Sequence, residues 1–396
     1  MALIKYVVFH PWKAATVLVV GVLLGLLSFY AYQVNAALAV VATEPFDPQA
    51  ARIAIEAAPP EDTPEVELEY ENPVSAVDDD GLSDIINERD AWLNDPRNTH
   101  PTSFGDPIDD EIFEAYLLVG TDASGFLADS IILGLQPSDG SAPIMVSLPR
   151  DLWVWNLCKD RFSRLNEGLG GCKGLASGPE LMALMVEDYT GIPIDHLAKI
   201  SFTGFAGLVN VMGGISVCVD YPTRDALAHL DIPAGCQRLN GDQALAWVRS
   251  RHTEQLKSDT WVQTAGSDFA RQRRQQDVLF QLAGSAARVS SPAAMTEALS
   301  YVAKSVRLDS GWSFSQAIST GWKYRGIKKA SVNRFTVEAS GFRTDGGADV
   351  LLADVPFSEQ LATVYTFPTS GCASVPADRC PLNSEQDQRR VNVSRR

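Results

Sequence analysis

From about residue 116 onward, the hydrophobic residues fall into short runs that alternate with longer helical patterns. The runs AYLLVG, DSIILGLQP and PIMVSLPRD have the length and aliphatic content of strands, and turn-rich segments separate them. If consecutive strands pair as hairpins, the chain reverses twice, and the end of the first, the start of the second and the end of the third share one edge. We therefore predict that Asp122, Asp129, Arg150 and Asp151 converge there.

Strands and helices alternate through the rest of the domain. The periodicity predicts helices in GPELMALMVEDYTG, TGFAGLVNVMGG and LNGDQALAWVRSR, and strands in HLAKISF and ISVCVDYP. Asn240 is the predicted N-cap of the third helix, which places Arg249 and Arg251 at or beyond its last turn. Helices near 293–306 and 313–322, the strand RFTVEA and the unit GADVLLADVPFSEQLATVY follow. The alternation predicts an α/β fold with a central sheet covered by helices on both sides.

A further helical segment, SDFARQRRQQDVLFQLA, separates its arginines by face. Helical spacing aligns five of its residues on one stripe: Arg271, Gln275, Val278, Leu279 and Leu282. Because the apolar end of the stripe must face the core, Arg271 and Gln275 are predicted to point inward as well. Arg273 lies off the stripe and is predicted to be exposed, whereas Arg274 is intermediate.

An arginine that faces inward needs an anion, because burial of an unpaired charge is costly. For Arg271 alone, an ion pair with Asp268 or Asp242 explains the pattern as well as a ligand does. A larger set of arginines has too few inward carboxylates nearby: Arg150, Arg249, Arg251, Arg271 and Arg274. Several guanidinium groups aimed at one place suit a phosphate or pyrophosphate, which arginine binds in a bidentate manner.

Asp122 and Asp129 flank this cluster, and their spacing leaves three roles open. The two carboxylates could hold Mg²⁺ against a pyrophosphate. Either could act as a general base on an incoming hydroxyl group. Aspartates at a hairpin tip also commonly form the turn itself, and spacing alone favours this third role.

The N-terminus has a membrane-type pattern. Residues 14–33 carry no charge and are long enough to cross a bilayer as a helix. Lys5 and Lys13 precede this run and the first charge after it is Glu44, so the positive-inside rule places residues 1–13 in the cytoplasm and the remainder outside. We predict a single-pass transmembrane anchor in the cell membrane. A cleaved signal peptide, with VNAALA near its cleavage site, is the alternative.

The formal net charge of -16 is concentrated in one segment. Between residues 44 and 114 there are 21 acidic and three basic residues, so the rest of the chain is nearly neutral. The composition predicts an extended acidic linker over 34–113, a folded domain over 114–368, and a cysteine loop with a disordered tail over 369–396. The charge and the lack of interleaved aromatic residues argue against a nucleic-acid partner.

All six cysteines follow the predicted anchor. Short separations favour three local disulfides, although six cysteines allow 15 pairing schemes. The favoured pairs are Cys158 with Cys172, Cys218 with Cys236, and Cys372 with Cys380. Disulfides persist in oxidising compartments, which agrees with an extracytoplasmic domain. No CxxC or HxxxH spacing supports zinc.

Seven motifs occur in an order that resembles the LytR-CpsA-Psr (LCP) family of cell-wall phosphotransferases. They are LLVGTD, ADSIIL, VSLPRD, RLNEGLGG, YTGIPIDHLAKISFTGFAGLVNVMGGISVCV, LNGDQALAWVRSR and SDFARQRRQQ. The resemblance covers roughly residues 116–282 and is weaker to about 365. It implies a mixed sheet sandwiched by helices, an apolar channel for a polyprenyl chain, and an arginine-lined pyrophosphate site at its mouth.

The resemblance also implies an activity. Such proteins move a glycopolymer phosphate from a polyprenyl-pyrophosphate carrier to a peptidoglycan sugar hydroxyl, forming a phosphodiester with the help of Mg²⁺ or Mn²⁺. A hydrolase that releases the same polymer to water is one alternative. A receptor that binds polyprenyl phosphate without turnover is another.

Individual roles follow from the same resemblance. Asp122 and Asp129 are assigned to metal binding and catalysis. The pyrophosphate-binding set comprises Arg150, Arg164, Arg249, Arg251, Arg271, Arg274 and Gln275, of which Arg150, Arg249, Arg251 and Arg271 are also assigned to catalysis. Leu127 stands where many members carry an arginine, so one contact is either lost or supplied by another group such as Arg164. The segments LMALMVEDY and FAGLVNVM would line the channel, although their pattern alone favours ordinary core packing.

Overall fold

The computed structural model describes residues 42–58, 108, 111–122, 125–264, 268–286, 292–344 and 347–367. The predicted anchor at 14–33 and the predicted tail at 369–396 lie outside the described residues. Within the described part of the chain, no helix has the length and apolar character needed to cross a membrane.

A seven-stranded mixed sheet forms the centre of the domain. Its strands are β1 Ala42–Glu44, β2 Phe113–Thr121, β3 Ala128–Pro137, β4 Ile144–Leu148, β7 His196–Ser201, β14 Val306–Asp309 and β15 Asn333–Thr336. Their order across the sheet is β1-β14-β7-β2-β3-β4-β15. Strands β2, β3 and β4 pair as consecutive antiparallel hairpins, and β2 pairs with β7 in parallel. The predicted mixed α/β fold is confirmed.

Smaller strands and the helices surround this sheet. The strands are β5 Trp153–Asn156, β6 Arg161–Arg164, β8 Ile215–Val219, β9 Thr223–Asp225, β10 Leu230–Ile232, β11 Gly235–Leu239, β12 Glu254–Lys257, β13 Thr260–Gln263, β16 Ala339–Arg343 and β17 Asp349–Ala353. The α-helices are α1 Pro48–Ala57, α2 Gly178–Thr190, α3 Phe202–Val211, α4 Gly241–Arg249, α5 Asp268–Ala286, α6 Pro292–Ser305, α7 Phe314–Lys323 and α8 Phe357–Ala362. Within the described residues, 3₁₀ segments occur at Leu165–Gly170 and Lys329–Ser331.

The two faces of the central sheet are packed differently. Leu117 and Val119 point to one face and are fully buried in the main core, where α2 packs. Tyr116 and Leu118 point to the other face, are only half-buried, and line cavities there. The helical segment LMALMVEDY therefore belongs to the dry core, and the face opposite α2 holds the space for a ligand.

Residues 34–113 are not a linker throughout, because β1 and α1, within residues 42–57, belong to the folded domain. Strand β1 pairs in parallel with β14, and Lys199 donates to the Glu44 carboxylate at 2.8 Å. Helix α1 packs near α2, with an ion pair between Arg52 and Asp188. A short strand at a sheet edge is held by backbone hydrogen bonds and ion pairs, so the hydrophobic pattern does not reveal it. Most of the remaining predicted linker lies outside the described residues.

Two of the predicted disulfides are present. Cys158 pairs with Cys172 at a Cα–Cα distance of 5.5 Å, and Cys218 pairs with Cys236 at 4.0 Å. The second bond joins directly opposed positions of β8 and β11. The predicted pairing of Cys372 with Cys380 lies outside the described residues and stays a prediction.

Candidate functional site

A β-bulge at the start of β3 shapes the edge of the sheet. Gly120 pairs with Ser130, whereas the next residue, Thr121, pairs with Ala128, so Asp129 is the extra residue of the bulge. Bulges re-aim side chains, and here both Asp129 and Ser130 line the same cavity. The local backbone therefore sets the carboxylate of Asp129 at the mouth of that cavity.

Arg150 follows β4 and meets Asp129 across the edge. Its guanidinium donates to the Asp129 carboxylate. Burial works against the charge of Arg150, but Asp151 and Asp129 outweigh it and raise the pKa of Arg150 above its usual value. Asp151 lies 3.5 Å from both Arg150 Nε and Arg251 Nη2. Asp129, Arg150 and Asp151 therefore converge at one edge of the sheet, as the pairing of the three strands as hairpins predicts.

Asp122, the fourth residue, is engaged in its own turn. Its Oδ1 accepts a hydrogen bond from the backbone N–H of Gly125 at 2.9 Å, and its backbone N–H donates to the carbonyl of Leu127 at 3.1 Å. This is the turn-forming role that spacing favours. The assignment of Asp122 to metal binding and catalysis stays a prediction.

Helix α5 places Arg271 on its buried face and Arg273 on its exposed face, as the helical spacing predicts. The Arg271 side chain is only 4% exposed, whereas Arg273 is exposed. Arg271 Nη2 lies 2.6 Å from Asp268 Oδ1, and Arg251 Nε lies 3.4 Å from the same oxygen. Burial, reinforced by Arg251 and Arg150, lowers the pKa of Arg271 despite Asp268. The ion pair with Asp268 exists, but two arginines share that carboxylate.

The buried face of α5 is wider than the predicted stripe. Gln272 and Gln276 are also buried. Gln276 Nε2 donates to Ser147 Oγ at 2.9 Å, and Gln272 Nε2 donates to Asp268 Oδ2 at 2.7 Å. A hydrophobic pattern cannot reveal buried amides whose N–H groups donate hydrogen bonds inside the protein.

Helix α4 and the loop after it carry Arg249 and Arg251. Asn240 forms the predicted N-cap within a capping box with Gln243, and the helix ends at Arg249. The Arg249 guanidinium lies 4.3 Å above the Phe202 ring. Arg251 follows in the loop, where it reaches the shared carboxylates.

Asp225, at the end of β9, binds this loop, and no pattern in the sequence predicts the contact. Its Oδ2 accepts hydrogen bonds from Ser250 Oγ at 2.7 Å, Arg251 N at 3.0 Å and His252 N at 2.8 Å. No motif marks an aspartate at the end of a three-residue strand as a partner for a loop 25 residues later. Asp225 therefore positions the backbone that carries Arg251.

Replacement of Asp225 by asparagine is expected to lower the free energy of unfolding at pH 7 by about 1–3 kcal/mol, because a buried charged acceptor is lost. Burial opposes ionisation, but the hydrogen bonds from Ser250 and its neighbours prevail and lower the pKa of Asp225. The stabilisation is therefore present above the unfolded pKa of about 3.9 and is lost as the pH falls through the folded value. Urea unfolding should show that the wild-type and Asp225→Asn stabilities approach each other in acid, and a constant difference would contradict this role.

Two predicted ligand arginines engage protein carbonyl groups. Arg274 Nε donates to the Trp247 carbonyl at 3.1 Å and its Nη2 donates to the Ser250 carbonyl, at the C-terminal end of α4. Burial and the charge of Arg271 lower the pKa of Arg274 to about 10. Arg164 donates to the Asp349 carbonyl at 3.0 Å. A role for Arg274 or Arg164 in pyrophosphate binding stays a prediction.

Gln275 lies between the sheet and α4, as the inward stripe predicts. Its Oε1 accepts from Ser130 Oγ at 3.0 Å, and its Nε2 donates to the Val248 carbonyl at 3.2 Å. Gln275 lines the cavity as well. It therefore fixes the spacing between the bulged strand and the helix that carries Arg249.

Six of the predicted site residues line a cavity of about 390 Å³. Its polar wall includes Asp129, Arg150, Arg249, Arg251, Arg271 and Gln275. Its apolar wall includes Leu118, Ile132, Phe202, Phe205, Leu279 and Val306. Leu118 and Leu279 also line a second cavity of about 290 Å³ that extends along the sheet face to Trp312 and Tyr324. The two cavities form an apolar trough that leads away from the arginine edge.

The carboxylates of Asp129, at the cavity, and Asp122, in the adjoining turn, are donors of the kind that Mg²⁺ binds. Mg²⁺ commonly binds one or two carboxylates and completes its shell with phosphate oxygens and water. Among the residues that the structure describes, no group of three or more His, Cys, Asp or Glu side chains could hold a metal ion by itself. A metal ion at this site stays a prediction.

The described domain has a mixed α/β fold, and its cavity combines arginine side chains with an apolar wall. A sequence profile of the LytR_cpsA_psr family matches residues 111–363. The chain belongs to this family, and the resemblance of its motifs is confirmed.

Known relatives agree with this assignment. The chain is 27% identical over 311 residues to the cell wall biosynthesis protein LcpA of Corynebacterium glutamicum, covering 71% of this chain and 58% of LcpA. It is 26% identical over 215 residues to the polyisoprenyl-teichoic acid–peptidoglycan teichoic acid transferase TagU of Bacillus anthracis, covering 53% of this chain and 65% of TagU. It thus spans less than two thirds of either relative. The solved LytR-Csp2A-Psr enzyme from Actinomyces oris is similar with a TM-score of 0.52 and 26% identity, over 67% of this chain and 91% of that one.

Proposed function

We propose that this protein is a phosphotransferase that moves a glycopolymer phosphate from a polyprenyl-pyrophosphate carrier to a peptidoglycan sugar hydroxyl, forming a phosphodiester. The observation that carries the proposal is one cavity that combines four arginines with an apolar trough: Arg150, Arg249, Arg251 and Arg271. A polyprenyl chain matches the trough and a pyrophosphate matches the guanidinium groups. The relatives LcpA and TagU, whose names refer to cell wall biosynthesis and to teichoic acid transfer, support the same function.

The charge balance of the site favours an anionic ligand. Within the described residues, the recorded ion pairs give these four arginines three carboxylates, from Asp129, Asp151 and Asp268. Arg249 contacts an aromatic ring. A pyrophosphate diester carries negative charge on both phosphates, so it would complete the compensation that the protein leaves partial.

The chemistry is a displacement at phosphorus. The acceptor hydroxyl oxygen forms a bond to the phosphorus next to the glycan, the bond from that phosphorus to the bridging oxygen breaks, and polyprenyl phosphate leaves. The arginines stabilise the charge that develops on the phosphate oxygens. Asp129 lines the cavity, and removal of the hydroxyl proton is the role proposed for its carboxylate. Mg²⁺ or Mn²⁺, when held by Asp122 and Asp129 with phosphate oxygens, would supply further charge neutralisation.

The proposed location is the outer side of the cell membrane, with residues 14–33 as a single-pass anchor. The two disulfides support an oxidising compartment. The lysines before the apolar run support an outward-facing domain. The proposed partners are therefore a carrier-linked glycopolymer in the membrane and peptidoglycan, and not nucleic acid.

A transfer assay with the full chain in proteoliposomes tests this function. The donor is a polyprenyl-pyrophosphate glycan with a labelled sugar, and purified peptidoglycan and Mg²⁺ are added. We expect the label to become attached to peptidoglycan while polyprenyl phosphate accumulates. Labelled glycan released in free form would establish the hydrolase, and donor that is bound but never consumed would establish the receptor. Either of these two results overturns the proposed transferase.

A further inference from the structure

Strand β1 brings the chain into the sheet at the edge that carries the arginine site. Ala42, the first residue of β1, pairs with Arg307, and the neighbouring Val306 pairs with Ile200. Val306 and Ile200 both line the cavity. From Ala42 the strand runs away from this edge, so the residues before it join the domain beside the cavity.

The distance from the proposed anchor to this edge is short. Only eight residues, 34–41, separate the end of the anchor from Ala42. A fully extended chain of this length spans at most about 30 Å. If residues 14–33 cross the membrane, Ala42, at the same edge of the sheet as the arginines, stays within that distance of the bilayer. The expected 80-residue spacer between membrane and domain is thereby replaced by a short tether.

The turn between β2 and β3 lies at the same edge and exposes two adjacent apolar side chains. Phe126 is 69% exposed and Leu127 is 44% exposed. The tip of this turn is therefore apolar. Adjacent exposed aromatic and aliphatic side chains suit the boundary between lipid head groups and acyl chains.

We propose that the turn at Phe126 and Leu127 docks on the lipid bilayer and holds the arginine site and its trough at the membrane surface. The short tether and the apolar turn act at one edge, so they orient the domain together. A carrier lipid could then enter the trough without crossing water. The identity of that lipid rests on the proposed function, whereas the docking itself requires only the anchor and a bilayer.

Depth measurements on the full chain in proteoliposomes test the docking without any catalytic step. A fluorescent non-natural amino acid replaces Phe126 in one variant and Trp322 in another. Trp322 is a matched control because it is aromatic, 48% exposed and placed on α7. The nearby Tyr324 hydroxyl donates a hydrogen bond to Gln136, which pairs with Glu114 on β2. This pair lies at the end of the sheet opposite the arginine site, so the control position is far from the proposed membrane contact.

Nitroxide-labelled lipids should quench the fluorophore at position 126 at least about threefold more than the one at 322, since quenching falls steeply with distance from the acyl chains. Equal quenching at the two positions would overturn the docking. A second contradicting result is a blue-shifted emission at position 126 that appears only as the protein density rises and is not accompanied by lipid quenching. It would show that the turn contacts a second copy of the protein and not the bilayer.

A second variant separates docking from chemistry. The double replacement Phe126→Ser and Leu127→Ser changes two exposed side chains and should leave the fold intact. Transfer from a bilayer-embedded donor should fall about tenfold, while transfer from a short-chain donor in detergent stays unchanged. An equal loss with both donors would place the turn in the catalytic site and refute docking. Failure of the wild type with both donors would refute the proposed transferase and leave the quenching result standing.

Discussion

Replacement of Arg271 by alanine is expected to lower the transfer rate at least about 100-fold, whereas Arg273→Ala should stay within about twofold of wild type. The two arginines are two positions apart on α5, yet Arg271 is buried at the cavity and Arg273 is exposed. Only Arg271 can contact a phosphate held between α5 and the sheet edge. The measurement is the initial rate of label transfer to peptidoglycan.

Folding has to be separated from catalysis in the Arg271 variant. Its removal takes from Asp268 one of the two arginines that pair with it, so some loss of stability is expected. The melting temperature of each variant provides the control. Arg271→Lys keeps the charge but lacks the planar fork, so it should recover part of the rate. Equal rate losses in Arg271→Ala and Arg273→Ala would refute the helix-face argument.

Replacement of Asp129 by asparagine is expected to lower the transfer rate by about 100-fold to 10,000-fold while lipid binding persists. The amide keeps the shape of the side chain but loses the charge that faces Arg150 and the cavity. The arginines that would hold the pyrophosphate remain in place. Rate measurements over a range of Mg²⁺ concentrations divide the possible roles, because partial recovery at high Mg²⁺ indicates a metal ligand and no recovery indicates a general base.

The matched control for Asp129 is Asp231→Asn on β10. Asp231 is an exposed strand aspartate away from the arginine cavity. It should keep the wild-type rate, and a rate loss comparable to that of Asp129→Asn would point to a general charge effect. Full activity of Asp129→Asn would remove Asp129 from the chemistry.

Hydrophobic periodicity and turn chemistry predict much of the central architecture. The antiparallel strands β2 to β4 bury one face completely, so their apolar residues are dense enough to mark them, and hairpin geometry alone brings Asp129 to Arg150. Helical spacing likewise predicts the contrast between Arg271 and Arg273. These features depend on residues close together in the chain.

Features that depend on distant partners escape prediction. Strand β1 is held by pairing with β14, more than 260 residues later in the chain. Asp225 accepts hydrogen bonds from the backbone N–H groups of Arg251 and His252, and Arg274 donates to the Ser250 carbonyl. Backbone partners of this kind leave no trace in residue patterns. The β-bulge that aims Asp129 at the cavity is also invisible, because it changes register and not composition.

A mass spectrum of the lipid that co-purifies with the full chain tests most directly whether the cavity binds a phosphorylated polyprenyl lipid. The cavity should retain a phosphorylated polyprenyl lipid in wild-type protein and in Asp129→Asn, because both keep the arginines and the apolar trough. Arg271→Ala should retain at least about tenfold less, because one of the phosphate contacts is gone. Absence of any phosphorylated isoprenoid from the wild-type protein, or equal retention in Arg271→Ala, would contradict the account.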